Sequence, residues 1–99
     1  MKKVYVCSPL NGDVTRNIDN ARKYAKYVFE CGMAPVVPHF YATILDDSNP
    51  KERTLGMRAG KSLIWFCDEL WVFGKSITSD MKEEIAMAKN LNIKVKFIL

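Results

Sequence analysis

The chain of 99 residues contains a single histidine and three cysteines, and both shortages exclude classes of site. His39 alone cannot build a His-rich metal site. Cys7, Cys31 and Cys67 are too few and too widely spaced for a disulfide framework or a zinc motif. Cys7 and Cys67 lie in apolar stretches, where we expect small buried hydrophobic residues. We therefore predict that the protein has no metal and no cofactor.

Long apolar runs and clusters of basic residues are also missing. No stretch approaches the roughly 20 apolar residues of a membrane span. The apolar segment after the basic residues 1–3 is too short for a secretory signal, so we predict a cytoplasmic protein without a membrane partner. The 15 Lys and Arg residues give a formal net charge of +4 but are spread along the chain. This pattern predicts no nucleic-acid partner and permits an anionic small ligand.

A glycine is missing where a phosphate-binding P-loop would need it. That motif places a glycine five positions before the glycine of Gly-Lys-Ser. In this chain the Gly-Lys-Ser segment is residues 74–76, and the position five before it is Glu69. The predicted helix also begins only after Ser79, whereas a P-loop leads directly into its helix. We therefore exclude a P-loop.

Apolar periodicity predicts four strands that alternate with three helices. The strand patterns cover residues 3–7, 34–37, 69–73 and 93–99, and the helical patterns cover residues 14–31, 51–66 and 80–91. Gly32 is placed to end the first helix in the left-handed conformation, and residues 39–50 have the composition of a long loop. Because parallel strands need crossovers, the order predicts an α/β fold. We expect one domain over residues 1–99, a small Rossmann-like (flavodoxin-like) three-layer sandwich with a four-stranded parallel sheet.

The loops at the carboxyl ends of the predicted strands hold most of the unusual polar residues. In open α/β sheets, ligands bind at this edge, beside the switch in strand order. We predict the following substrate-binding residues there and on the neighbouring helix: Ser8, Gly12, Asp13, His39, Asp47, Arg58, Gly74, Thr78, Ser79 and Asp80. For Asp13 the alternative is local pairing with Arg16 across the first turn of a helix.

Helical geometry separates two adjacent glutamates, Glu83 and Glu84. Successive residues turn by about 100° around a helix. The apolar stripe of the third helix consists of Met81, Ile85 and Ala88. Glu84 lies beside this stripe, at the border of the core and the carboxyl edge of the sheet, whereas Glu83 points toward solvent, so Glu84 is the glutamate placed to take part in a site. The alternative is that Glu84 is a first-turn acid that stabilises the helix dipole, with Asp80 as the N-cap.

Aromatic residues cluster near the ends of the third strand and of the helix before it. We expect Trp65, Phe66, Trp71 and Phe73 to lie in the core. As an alternative, Trp65 or Trp71 lies in a subunit interface. A small sandwich has few ways to cover both faces and a pocket, so we predict a homo-oligomer.

Four segments carry a resemblance to a known family. They are VYVCSPLNGD (4–13), PHFY (38–41), CDELWVFG (67–74) and ITSDMKEEIAMA (77–88). Together they resemble the small DUF4406-type proteins, relatives of the nucleoside 2-deoxyribosyltransferases and nucleotide N-glycosidases, over nearly the whole chain. The resemblance implies an enzyme that acts on the N-glycosidic bond of a nucleoside or nucleoside 5′-monophosphate. It implies Glu84 as nucleophile with Tyr5 beside it, and Thr78 and His39 as substrate-binding residues.

Three positions depart from the family pattern. Gly60 stands where the family has a second carboxylate, Asp80 replaces the usual glycine, and Asn11 stands where some nucleotide hydrolases have an arginine. His39 or an acid of the pair at 46–47 remains to protonate the leaving base. The departures favour an alternative from another class, a non-catalytic nucleotide-binding sensor or regulatory module on the same fold. A weaker alternative is a likeness of fold alone.

Overall fold

Strands and helices alternate in the computed structural model, which describes residues 1–98. The elements are β1 (Lys3–Cys7), α1 (Val14–Glu30), β2 (Ala34–Val36), α2 (Pro50–Ser62), β3 (Glu69–Val72), α3 (Ser79–Asn90) and β4 (Lys94–Phe97). Two short 3-10 helices, Pro38–Thr43 and Leu63–Phe66, flank α2. The predicted order of elements is therefore confirmed. The final predicted strand extended to Leu99, which lies outside the described residues.

All four strands run parallel in the order β2-β1-β3-β4. From β1 the chain crosses to β2 on one side, and then returns to β3 on the other side of β1. This reversal opens a crevice at the carboxyl ends of β1 and β3. The predicted parallel α/β architecture, a small Rossmann-like fold, is confirmed.

Alternate residues of β1 face opposite layers of the structure. Val4 and Val6 pack into the cluster that contains Val28 of α1, with Trp71 and Phe73. Tyr5 and Cys7 pack into the opposite cluster, which contains Met81, Ile85 and Ala88 of α3. Because side chains alternate along a strand, the same face of β1 that carries Tyr5 also carries Cys7. Both side chains therefore point toward α3.

Local signals set the ends of α1. The Asp13 side chain accepts a hydrogen bond of 3.2 Å from the backbone N–H of Arg16, which makes Asp13 the N-cap. The expected pairing of these two residues thus uses the Arg16 backbone rather than its guanidinium. After the helix, Gly32 has φ of 79°, the left-handed conformation predicted for it.

The segment around α2 differs from its prediction. Residues 39–50 were predicted as a loop, but Pro38–Thr43 forms a 3-10 helix. Proline stands at its first position, where the missing N–H costs nothing. The predicted helix 51–66 ends as an α-helix at Ser62 and tightens into a 3-10 turn over Leu63–Phe66. Turn composition marked the first segment, yet a 3-10 helix has no strong sequence signature of its own.

This 3-10 turn also overturns part of the aromatic prediction. Trp71 and Phe73 are buried as expected, but Trp65 is 64% exposed and Phe66 is 75% exposed. The tighter turn directs Ile64 into the core instead. Trp71 is therefore excluded from a surface interface, whereas Trp65 lies where an interface could form. The homo-oligomer stays a prediction.

Within residues 1–98, no helix combines the length and the apolar character needed to cross a lipid bilayer.

We expect Gly32→Ala to lower the free energy of unfolding by about 1 kcal/mol, because alanine is strained at positive φ. Gly56→Ala is the matched control, since Gly56 lies inside α2 and an added Cβ would meet only Leu45 Cδ1 at 3.4 Å. Alanine at that position should be neutral or stabilising. Urea unfolding of both variants tests this pair, and equal effects would contradict it.

Candidate functional site

A pocket opens at the carboxyl edge of the sheet, between β1, the 3-10 helix Pro38–Thr43, α2 and the start of α3. Its wall includes seven of the residues predicted from the sequence. These are Tyr5, Ser8, His39, Asp47, Thr78, Asp80 and Glu84. The structure thus brings together side chains from positions 5 to 84 of the chain at one cavity.

Two donors from β1 hold the carboxylate of Glu84. The Tyr5 hydroxyl donates a hydrogen bond to Glu84 Oε2. The Cys7 thiol donates to the other oxygen, Oε1, with Sγ 3.4 Å away. Each oxygen of the carboxylate therefore has its own donor. Cys7 is buried, as predicted, but it is more than a small hydrophobic residue.

Burial determines the protonation of this group of three residues. Burial raises the pKa of Glu84, while the hydrogen bonds from Tyr5 and Cys7 pull that pKa back down. Burial also raises the pKa of Tyr5 well above its usual range, and the negative charge of Glu84 adds to the shift. The pKa of the Cys7 thiol is raised for the same two reasons. Tyr5 and Cys7 thus keep their protons at neutral pH and act as donors.

The start of α3 corrects two expectations. Thr78, not Asp80, is the N-cap, because its side chain accepts a 3.2 Å hydrogen bond from the N–H of Met81. Since α3 begins at Ser79, Glu84 is its sixth residue and lies in the second turn rather than the first. The helix-dipole explanation for Glu84 loses its basis there, because the effect falls off within the first turn.

The angular distinction between the two glutamates agrees with the structure. Met81, Ile85 and Ala88 are buried, as their spacing predicted. Glu83 is exposed and forms an ion pair with Lys61. Surface pairs of this kind contribute little to stability.

His39 is buried in the pocket wall and bound to Ser8. Its Nε2 lies 2.9 Å from Ser8 Oγ and 3.0 Å from the Ser8 carbonyl oxygen. Burial lowers the pKa of His39, so the imidazole is neutral at neutral pH. Among the side-chain N and O atoms buried within residues 1–98, His39 Nδ1 alone has no hydrogen-bond partner. Because the Ser8 carbonyl oxygen can only accept, Nε2 carries the proton, and Nδ1 is an acceptor without a partner among the described residues.

Asp80, near the N-terminus of α3, contacts a side chain of the loop after β1 and a side chain of α2. Asn11 Nδ2 donates a 2.7 Å hydrogen bond to Asp80 Oδ2. The Arg53 guanidinium lies 3.7 Å from the same oxygen. Asn11 and Arg53 therefore belong to the pocket although neither was predicted as a site residue.

Apart from Gly60, one face of α2 was missed by the sequence reasoning. Glu52, Arg53, Gly56, Met57 and Gly60 all line the pocket. Their spacing of i, i+1, i+4, i+5 and i+8 is one stripe of a helix. The spacing by itself could have indicated a shared helix face. The residues of this face are mostly polar or glycine, however, and apolar periodicity does not detect such a face.

Five predicted site residues do not line the pocket: Gly12, Asp13, Arg58, Gly74 and Ser79. Asp13 caps α1, and Arg58 and Ser79 are exposed. Gly12 has φ of 93° and Gly74 has φ of 97°, so these glycines shape the loops around the site.

A side chain at position 60, where the family pattern has a second carboxylate, would be crowded by Pro38. A Cβ at this position would lie 3.0 Å from Pro38 Cβ and 3.6 Å from the Tyr5 hydroxyl oxygen. The 3-10 helix is therefore packed closely against α2. Acids reach the pocket from other positions instead, namely Asp47 and Glu52. Asp46 is exposed and hydrogen-bonded to Ser48, so of the pair at 46–47 only Asp47 is in the wall.

For metal binding, residues 1–98 place no group of three or more His, Cys, Asp or Glu side chains around a common point.

Comparison with known proteins assigns the chain to a family. The model of a domain of unknown function, DUF7768, matches residues 2–98. The chain belongs to the DUF7768 family. The sequence resemblance had pointed to the DUF4406-type proteins, and the match is to this other family model instead. No curated protein matches the chain.

A solved structure shares the fold. It is the 2-deoxyribosyltransferase from the psychrotolerant bacterium Bacillus psychrosaccharolyticus, with a TM-score of 0.73 and 15% sequence identity. The alignment covers 96% of this chain and 70% of that one. At this identity the likeness shows a shared fold alone, and an activity has to be argued from the site.

We expect Glu84→Gln to stabilise the protein at neutral pH. Because folding raises the pKa of Glu84 above its ordinary value of 4.5, the native state holds that proton more tightly than the unfolded state does. Stability is therefore lost as pH rises from about 4.5 through the folded-state pKa. The melting temperature of the variant should exceed that of the wild type at pH 7, and the difference should shrink toward pH 4. A difference that grows on acidification would contradict the raised pKa.

Proposed function

We propose that this protein is a nucleoside or nucleoside 5′-monophosphate N-glycosidase, or a 2-deoxyribosyltransferase-like enzyme, with Glu84 as its nucleophile. The observation that carries the proposal is the carboxylate of Glu84 in a pocket wall, with one donor on each oxygen. The fold shared with a 2-deoxyribosyltransferase supports the same chemistry.

The first chemical step follows from the charge that glycosidic cleavage creates. As the bond to the base breaks, the anomeric carbon gains oxocarbenium character, and Glu84 attacks it to form a glycosyl ester. The electron pair of the broken bond stays on the base, which must take up a proton to leave. Asp80 is already bound by Asn11 and Arg53, so Asp47 and Glu52 are the pocket carboxyls left to pass a proton from solvent to the base. The neutral His39, with Nε2 bound to Ser8, is better suited to accept a hydrogen bond at Nδ1.

The second step releases the sugar from Glu84. Attack by water breaks the ester bond, returns its electron pair to Glu84 and gives a free sugar, while the proton of the water passes through Asp47 or Glu52 to solvent. Attack by another base gives an exchanged nucleoside, and the N–H proton of that base leaves in the same way. Tyr5 and Cys7 keep their protons throughout, because burial raises the pKa of both groups. They orient the carboxylate before attack and stabilise it when the ester bond breaks.

A non-catalytic nucleotide-binding module is the second candidate. Gly60 favours it, because glycine supplies no carboxylate at the position of the family's second acid, and a side chain there would crowd Pro38. In this case the pocket would hold a nucleoside or nucleotide and leave the glycosidic bond intact.

Product analysis separates the two functions. The protein is incubated with ribo- and deoxyribonucleosides and their 5′-monophosphates, with and without a free acceptor base. We expect free or exchanged base from the wild type, and at least a hundredfold lower rate from Glu84→Gln, because the nucleophile is removed. Glu83→Gln is the matched control on the exposed face of α3 and should retain activity. Equal activity of wild type and Glu84→Gln would remove Glu84 from the mechanism, and binding without product would favour the second candidate.

Cys7 should set the pH dependence of this activity. Cys7→Ala removes the donor to Glu84 Oε1, so the pKa of Glu84 rises further and the acidic limb of kcat/KM moves to higher pH. Cys7→Ser keeps a donor and should stay closer to the wild-type profile. Rates measured from pH 4 to 9 test this, and an unmoved limb in Cys7→Ala would show that the thiol serves packing alone.

A further inference from the structure

The pocket is acidic although the chain as a whole is basic. The chain has a formal net charge of +4. Yet the pocket wall contains four carboxyl side chains, those of Asp47, Glu52, Asp80 and Glu84, and within the described residues Arg53 is the single Lys or Arg side chain that lines it. A ligand that enters this cavity therefore meets more carboxyl groups than cationic side chains, although the protein's net charge is positive.

Asp80 occupies the position where an anionic group would otherwise find favourable partners. It is the second residue of α3, so its carboxylate lies in the first turn, where the helix dipole is positive. The Arg53 guanidinium, 3.7 Å from Asp80 Oδ2, is directed at the same carboxylate. Both sources of positive potential at this end of the pocket are thus already matched by an acid of the chain itself.

The contacts of Asp80 hold it in place as an acceptor. Asn11 Nδ2 donates to Oδ2 at 2.7 Å, and Arg53 approaches that same oxygen. Oδ1 is left to accept a hydrogen bond from a ligand. A sugar hydroxyl is a donor and matches this acceptor, whereas a phosphate carries only acceptors and a like charge at neutral pH.

We infer that the pocket takes an uncharged nucleoside and rejects its 5′-phosphate, with Asp80 as the residue that determines this selectivity. The inference rests on the proposed function for the nucleoside itself and narrows that function to the unphosphorylated substrate. Asn11 and Arg53 are positioning residues in this account, because they act through the Asp80 carboxylate.

Binding measured without turnover tests the inference. In the Glu84→Gln background, titration calorimetry compares deoxyadenosine, deoxyguanosine, deoxycytidine and thymidine with their 5′-monophosphates. We expect at least tenfold weaker binding of each monophosphate than of its nucleoside. Adding Asp80→Asn should reduce the ratio of the monophosphate's dissociation constant to the nucleoside's at least tenfold, chiefly because the monophosphate binds more tightly. In the Glu84→Gln protein that retains Asp80, the ratio of the two dissociation constants should also fall as salt is raised from 50 to 500 mM. Salt screens the repulsion between Asp80 and the phosphate.

Glu83→Gln in the same background is the matched control for charge. It removes one carboxylate from the same helix outside the pocket wall, so the ratio should stay unchanged. A ratio that changes equally in both variants would assign the effect to net charge and overturn the role of Asp80. Monophosphates that bind as tightly as nucleosides, or that bind alone, would overturn the inference, as would the absence of all binding.

Product formation by the Glu84-containing enzyme distinguishes the failure of this inference from the failure of the proposed function. Product from monophosphates alone would leave the glycosidic chemistry in place and remove the selectivity. Nucleoside-selective binding without any product would keep the selectivity and remove the chemistry.

Discussion

The contact between the Glu84 carboxylate and two donors of β1 joins the sheet to α3 at the pocket. Tyr5 and Cys7 stand two residues apart on one strand, so the pleat gives them the same direction. One carboxylate can accept from both because it has two oxygens. The hydrogen bonds offset part of the cost of burying an acid, and the remainder appears as a raised pKa of Glu84. A carboxylate kept at this cost is typical of functional sites.

The second constraint is the close approach of the 3-10 helix Pro38–Thr43 to α2. Gly60 permits it, since any side chain there would meet Pro38 and the Tyr5 hydroxyl. The same packing places His39 against Ser8 and brings the stripe of α2 that contains Arg53 to the pocket. The family pattern has an acid at position 60, whereas this chain has a glycine that allows α2 and the 3-10 helix to pack closely. Acids from the preceding loop and from the start of α2 face the cavity instead.

Because of these two constraints, the two ends of the pocket differ in their chemistry. One end of the pocket contains Glu84 with its donors, and the end at the N-terminus of α3 contains Asp80 with Asn11 and Arg53. The first arrangement is suited to stabilising positive charge that develops on a sugar. The second is suited to accepting a hydrogen bond from an uncharged group. On our proposal, the two arrangements together favour a polar, unphosphorylated ligand in a protein whose overall charge is positive.

The sequence alone determined the order of strands and helices, the parallel sheet and the position of Glu84 beside the buried stripe of α3, with Glu83 exposed. Each of these depends on local periodicity, which a single chain displays directly. The N-cap at Thr78, the exposure of Trp65 and Phe66 and the donor role of Cys7 needed the tertiary structure. A helix start shifted by one or two residues changes the cap, and a 3-10 turn rotates the side chains that follow it. The contact of Cys7 with Glu84 joins residues 77 positions apart, and only the packing of α3 on β1 brings them within hydrogen-bond distance.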